Sequence, residues 1–222
     1  MNSEGANGAR PDPGADPPVI NIVGDLVALG PLRRGLVPRY HRWHNDLAVS
    51  GTRGVGWPVA LEQTVAEFER QIASDREVAF TIYDRAALRP IGVCALSEIE
   101  HRFGRATFAI TIGEADCRGK GYGTEATRLA LDYAFAGLGL VNVMLTCFAF
   151  NLGGRRAYEK AGFREFGRRR RCSRHGGRSW DLIYMECLAD EFVSPVLARV
   201  LLPDVREPTG GDRQSDQFAD AP

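Results

Sequence analysis

The feature that most restricts the fold is the order of elements in residues 105–150. A short apolar strand, "RATFAITIG", leads through "EAD" into a glycine loop, "CRGKGYG". A helical segment, "TEATRLALDYAFAGLGL", follows, and then a nearly all-apolar run, "VNVMLTCFAF". Period two places Phe108, Ile110 and Ile112 on one face of the first strand. Ala126, Leu129, Ala130, Tyr133 and Ala134 recur at helical spacing, and Gly137 and Gly139 end the helix. A continuous apolar run predicts a strand buried on both faces, as a central parallel strand is. Strand, helix and strand then make a βαβ crossover.

The flanking segments read differently. "LVALGPL", "EVAFTIYD" and "IGVCALSEIE" are strand candidates, and "RAALRP" and "HRFG" are turns short enough for antiparallel neighbours. "VPRYHRWHND" predicts a short helix with Tyr40, Trp43 and Leu47 facing inward. A clearer amphipathic helix runs over residues 61–74, with Leu61, Val65, Phe68 and Ile72 as its stripe. "RRAYEKAGF" is a short helix ending at Gly162, and "REFGRRRRCS" and "SWDLIYMECL" are two last strands around "RHGG". The fold class is therefore α+β: a mixed, mainly antiparallel sheet with a central βαβ crossover. One domain is expected over residues 19–190, with a Gly/Pro/Asp-rich tail at 1–18 and a largely loose extension at 191–222.

Composition narrows the function classes. Lys and Arg number 28 and Asp and Glu number 28, so no overall charge points to a nucleic-acid or membrane-surface protein. No apolar run is long enough for a membrane span, and the N-terminal residues have no signal-peptide core, which makes a cytoplasmic home the expectation. The cysteines are Cys94, Cys117, Cys147, Cys172 and Cys187; none are at C-x-x-C spacing, so neither a disulfide framework nor a zinc site is expected. His41 and His44 lie one turn apart without a third ligand, and no metal is expected.

The glycine loop suits an anion. The first N–H groups of a helix have no partner inside it, and the helix dipole adds positive charge there. Glycines let a large anion reach the backbone, and Arg118 and Lys120 add formal charge, so a diphosphate is the natural ligand. The P-loop pattern fails, because Gly121 follows Lys120 where Ser or Thr is needed. A dinucleotide loop is also disfavoured, since antiparallel hairpins precede the strand and no acid follows at the required distance.

At this point the residues resemble a family. Residues 118–123, "RGKGYG", match the (Q/R)-x-x-G-x-(G/A) signature of the GCN5-related N-acetyltransferases. "NLGGRRAYEKAGF" supplies Asn151, Tyr158 and Gly162-Phe163 of the family's second motif. "GKGYGTEA" and "HRWHND" look most like the branch acting on ribosomal-protein N-termini, polyamines and small amines. The resemblance covers roughly residues 21–188. It implies that acetyl-CoA lies between the strand ending at Gly113 and the strand ending at Phe150. Ile110, Thr111 and Ile112 would pair with pantetheine. N–H groups of Arg118, Gly119, Lys120, Gly121, Tyr122, Gly123 and Thr124 would hold the pyrophosphate. Asn151 would contact the pantetheine arm or order its strand, and Tyr158 would be the general acid on the departing thiolate.

The implied reaction is aminolysis of a thioester. An alkyl amine must first lose a proton, which a carboxylate or histidine can accept. A backbone N–H can polarise the carbonyl. Family members often carry a glutamate where this chain has Thr107, which cannot serve as a base. Glu98, on the adjoining strand, is the first substitute, ahead of Glu100, His101, His44 and Asp46. Tyr158 read blandly is a core residue, and Asn151 a helix N-cap. Residues 168–171, "RRRR", read chiefly as a solvated edge that discourages strand pairing, with two of the four able to face cofactor or substrate. The expectation is an acyl-CoA-dependent N-acetyltransferase acting on a small amine, amino sugar, antibiotic or protein N-terminus. The alternative is a CoA-binding sensor or scaffold that has lost catalysis. The partner is a small-molecule or peptide amine, with a homodimer left open and neither nucleic acid nor membrane involved.

Overall fold

The computed structural model describes residues 16–54 and 57–201. Eight strands form one sheet: β1 (Ile22–Val23), β2 (Val27–Pro31), β3 (Val78–Asp84), β4 (Pro90–Glu100), β5 (Arg105–Ile112), β6 (Asn142–Phe148), β7 (Arg164–His175) and β8 (Arg178–Leu188). Their order is β1-β2-β3-β4-β5-β6-β8-β7. All neighbours are antiparallel except β5 and β6. The helices are α1 (Val37–Asn45), α2 (Leu47–Ser50), α3 (Leu61–Ile72), α4 (Tyr122–Asp132), α5 (Leu152–Ala161) and α6 (Leu197–Leu201). This is the expected α+β fold with its βαβ crossover through α4.

The parallel pair is short. It holds at Arg105↔Asn142, Ala106↔Val143 and Thr107↔Met144, and no further. Beyond Thr107, β5 stays with β4 as far as Gly92↔Ile112, while β6 stays with β8 as far as Phe148↔Leu182. Each strand follows its other neighbour, so a V opens between them with free backbone groups on its inner edges.

Two apolar layers cover the sheet. Ala126, Leu129 and Ala130 of α4 pack on one face with Phe108, Leu145, Ile183 and Met185. Tyr40 and Trp43 of α1 and Phe68 of α3 pack on the other against Val93. β6 is not buried on both faces as its composition suggested. Val143, Leu145 and Cys147 are buried, but Thr146 is exposed, because the second layer covers only part of the sheet and leaves this face of β6 bordering a groove.

Two helix faces also differ from their periodicity. In α3 the buried residues are Thr64 and Phe68, while Leu61, Val65 and Ile72 are 41%, 36% and 54% exposed. The helix meets the sheet along one narrow line beside α1, so a single i, i+4 pair turns inward. Leu47 is 70% exposed. The chain leaves helical geometry at Asp46, whose carboxylate caps Ala48 N at 2.8 Å, so Leu47 starts a new helix with a different face.

Two carboxylates fix the frame around α4. Glu125 accepts from Asp25 N, Leu26 N and Val27 N at 2.7, 2.6 and 2.8 Å, tying the β1–β2 turn to the helix. Asp132, fully buried, accepts from Ser194 Oγ and from Val196 N and Leu197 N at 2.9 and 2.8 Å. These bonds hold the stretch before α6 on the domain, with Leu197 buried. The loose extension expected further on lies outside the described residues, as does most of the N-terminal tail. Among the described residues no helix is long and apolar enough to cross a membrane, and no cluster of three His, Cys, Asp or Glu is poised for a metal. Cys94, Cys117, Cys147 and Cys187 are buried free thiols and Cys172 is exposed. Burial pushes the Cys94 thiol up to about 12, which keeps it protonated and inert.

Candidate active site

A cavity of about 540 Å³ fills the V. Ile110, Thr111 and Ile112 form its β5 wall; Gly119, Gly121, Gly123 and Thr124 form its floor; Asn151, Gly154 and Tyr158 form its α5 wall. The glycines are there for backbone reasons. Gly119 and Gly121 take φ +73° and +89°, a region that costs other residues energy. Gly121 is the N-cap of α4 and has no side chain to cap it. The N–H groups of Gly119, Lys120 and Gly121 find no backbone acceptor among the described residues. Unpaired donors at a helix N-terminus facing a cavity fit a diphosphate.

Most of the expected site residues meet here, with instructive exceptions. Arg118 lines the cavity, but its guanidinium donates to Ile112 O, Gly113 O and Ala48 O at 3.3, 3.1 and 3.2 Å. It ties the strand end to α2 rather than standing free as a counter-charge. Lys120 is exposed and outside the lining, and Tyr122 packs inward against the core. Arg156 and Lys160, on α5, line the cavity instead. Sequence reading passed over them because cations on an exposed helix face usually carry no signal. Asn151 is the N-cap of α5, its Oδ1 accepting from Gly154 N at 2.9 Å, while its Nδ2 donates to Thr52 O at 3.4 Å.

Tyr158 lines the cavity, with its ring edge-on to Phe163 at 6.1 Å. Burial raises its phenol well above the usual value, and the charge of Arg53 only partly offsets this. The hydroxyl therefore keeps its proton throughout the neutral range.

A second cavity, of about 170 Å³, lies between β5 and the α1–α3 layer. Trp43, His44, Glu67 and Ala109 line it, and Arg53, Ile110 and Thr111 line both cavities. A third, of about 420 Å³, continues outward past His44 and Arg53 to Trp57, which is 91% exposed. Arg53 also donates to Thr111 Oγ1 at 3.3 Å. The two spaces thus meet at the rim of β5.

Two groups could accept a proton there. Burial, followed by the Arg53 charge, lowers the pKa of His44 below the ordinary histidine value, so its ring is neutral at pH 7. Its neighbour Glu67 is held below the usual carboxylate range, first by its bond with Arg70. Glu98 lines neither cavity. It sits at a bulge in β4 with φ +53°, and Thr107 Oγ1 donates to its Oε2 at 2.7 Å. Glu98 thus puts a carboxylate beside Thr107, supplied from the next strand. Glu100 pairs with Arg105, and Asp46 caps α2.

Comparison with known proteins bears on this geometry. Residues 27–164 match the family model described as Acetyltransferase (GNAT) domain, which is more than half of the chain. The chain belongs to this family. Two proteins of Bacillus subtilis (strain 168) are similar to it. The probable N-acetyltransferase YjcK is 34% identical over 103 residues, 46% of this chain and 57% of that protein. The uncharacterized N-acetyltransferase YnaD is 31% identical over 91 residues, 40% of this chain and 54% of that protein. The chain thus matches little more than half the length of these relatives. Among solved structures, the spermidine N-acetyltransferase of Vibrio cholerae in complex with CoA and spermine superposes with a TM-score of 0.69 at 26% identity, covering 75% of this chain and 97% of that one. A GNAT-family acetyltransferase of Bacillus anthracis shares the fold at a TM-score of 0.66 and 20% identity, covering 77% of this chain and 99% of that one.

Proposed function

We propose that the protein is an N-acetyltransferase that moves an acetyl group from acetyl-CoA to a primary amine by direct attack. The observation that carries this reading is the meeting of the two cavities at Arg53, Ile110 and Thr111, with the glycine loop and Tyr158 both lining the larger. Acetyl-CoA would supply the activated acyl group as a thioester. The chain would supply binding, orientation and proton handling.

Backbone N–H groups of the loop and the first turn of α4 bind the diphosphate, with Arg156 and Lys160 as nearby cations. The unpaired inner edge of β5 at Ile110 and Ile112 binds the pantetheine amides as an added strand would. Asn151 fixes the start of α5 and hence the position of Tyr158. The phenol donates a hydrogen bond to the sulfur as charge builds there. Because its pKa is raised, it stabilises that charge without giving up its proton outright.

On the other face, the amine arrives mostly as ammonium, since its pKa is near 10. His44, neutral and lining both outer cavities, accepts one proton, and the second, shed by the nitrogen once the C–N bond has formed, passes to the departing thiolate. The sign of the pH effect follows from the lowered pKa. The base form is present above that value and is lost as pH falls through it, so the acid limb of kcat/KM lies below the ordinary histidine value. His44→Gln is expected to lower kcat/KM about a hundredfold and to remove that limb. A pH–rate series with one good acceptor checks this.

A second reading of the base rests on the Glu98–Thr107 contact. If Glu98 takes the proton through water, His44→Gln leaves the acid limb where it was and Glu98→Gln removes it. Transfer itself is tested by thiol release from acetyl-CoA across an amine panel, with the product identified by mass. Tight coenzyme binding without thiol release would instead favour a binding module.

A further inference from the structure

The outer face of the site carries a charge pattern that this chemistry leaves unexplained. Residues directly opposite on neighbouring strands share a face. Thr107 lies opposite Met144, and Phe148 opposite Leu182, so Ala109, Thr111, Phe148, Leu182, Trp180 and Arg178 all share the face of the smaller cavity. Arg169, opposite Leu182, joins them. Arg168, opposite Ile183, falls on the other face, where it pairs with Glu165. The arginine run is therefore divided: Arg168 and Arg169 lie on opposite faces, and a β7 bulge between Arg169 and Ser173 separates them from Arg170 and Arg171.

An aromatic shelf joins the β7–β8 hairpin to Gly54, which lines the outermost cavity. A Cβ at Gly54 would lie 2.8 Å from the Phe148 ring. Phe148 stacks on Phe150 at 5.3 Å, and Phe150 stacks on His175 at 4.5 Å. Trp180 meets Phe150 edge-on at 5.6 Å. Arg53, next to Gly54, and Arg178, opposite His175, thus flank one shelf. Among the described residues, none of Arg53, Arg169 and Arg178 forms an ion pair. The mouth past Trp57 has no carboxylate in its described lining.

The acids of this face lie elsewhere. Glu98 accepts from Thr107, and Glu186 accepts from Asn142 at 2.9 Å, both where β5 and β6 are still paired. Glu67 lines the inner cavity and is already bonded to Arg70. A polyamine would set its further ammonium groups against unpaired arginines, a like-charge arrangement that selects against it. An acceptor with opposite charges at its two ends matches the face.

We infer that the acceptor is a primary amine carrying an anionic group, a carboxylate or a phosphate, whose amine end lies toward His44 and Glu67 and whose anionic end lies toward Arg53 and the face that carries Arg169 and Arg178. The inference rests on the reading of the smaller cavity as the acceptor site. Arg53, Arg169 and Arg178 then select the substrate and need not touch the reacting atoms.

The test is a calorimetric titration of the full chain saturated with coenzyme A. The probes are an aminoalkyl carboxylate, an aminoalkyl phosphate, an acidic peptide with a free N-terminus, an uncharged alkylamine of matched length, and spermidine. At least one anionic probe is expected to bind about tenfold tighter than the uncharged amine, with spermidine weakest, and the advantage is expected to shrink with added salt. The three anionic probes separate a small acceptor from a peptide. In Arg169→Glu/Arg178→Glu the ratio of anionic to uncharged affinity is expected to fall about tenfold. Coenzyme affinity reports that this variant is folded, and Arg178→Gln gives a milder check. Anionic probes that bind no better than the uncharged amine, or a ratio unmoved by charge reversal, overturn the inference whether or not acetyl transfer is seen. Preferential anionic binding without transfer supports it and overturns the transferase reading alone.

Discussion

Gly121→Val is expected to weaken coenzyme A binding by about a hundredfold or more, the loss of two or more charge-assisted N–H bonds. The cause is the backbone. Gly121 holds φ +89° at the N-cap of α4, and a β-branched residue in that region is strained by roughly 1–2 kcal/mol. A Cβ there would meet Leu26 Cδ1 at 3.4 Å, an ordinary contact, so crowding within the chain is not what breaks the site. The loop instead relaxes toward negative φ and turns its N–H groups away from a common centre. Gly121→Asn, which tolerates the left-handed region better, is expected to lose much less. Calorimetry on both variants separates this account from simple steric blocking, under which Asn and Val would be equally damaging.

Tyr158→Phe is expected to lower kcat by about a hundredfold while changing coenzyme affinity less than about threefold. The substitution removes one hydroxyl and keeps the ring that packs edge-on against Phe163, so the cavity wall survives. On the proposed mechanism, what is lost is a donor to the sulfur at the moment it gains charge. Because burial keeps the phenol protonated well past neutrality, the effect should be uniform from pH 6 to 9 rather than confined to one limb. Single-turnover rates and coenzyme titrations on the variant measure the two quantities separately. An unchanged kcat would return Tyr158 to a packing role.

The chemical parts of the site were legible because they depend on local chain properties. Glycines at 119 and 121 and an uncapped helix start are a backbone requirement written directly into the sequence. Asn151 was readable both as a cap and as a cofactor contact, and it does cap α5. The antiparallel neighbours β3, β4 and β5 and the crossover into β6 followed from short turns and one helix, whereas the placing of β8 between β6 and β7 did not. What escaped was set by tertiary placement. α3 buries Thr64 and Phe68 because of how it sits beside α1, which its periodicity does not encode. The all-apolar composition of β6 suggested two covered faces, but the strand parts from β5 and leaves one face open. Arg118 was expected as a counter-charge, yet it is spent on three carbonyls, which nothing in "CRGKGYG" reveals. His44 was only one of several candidate bases, since its lowered pKa comes first from burial and then from the Arg53 charge, both set by the tertiary fold.

The arginine run shows the same limit. In sequence it is four equal charges on an edge strand. In the fold a bulge between Glu165 and Gly167 puts Arg168 on the face of Glu165, with which it pairs, and Arg169 on the opposite face. Whether that strand only discourages pairing or also selects a substrate is decided by a register shift no motif records.

The central claim is that bare backbone donors between a parted strand and a helix hold the paired phosphates of coenzyme A. A crystal structure of the chain with coenzyme A tests it most directly. The account predicts the diphosphate oxygens within about 3 Å of N–H groups between Gly119 and Thr124, and the pantetheine arm running along Ile110, Thr111 and Ile112 toward Tyr158. A coenzyme bound outside the V, or one whose phosphates contact only side chains, would contradict it.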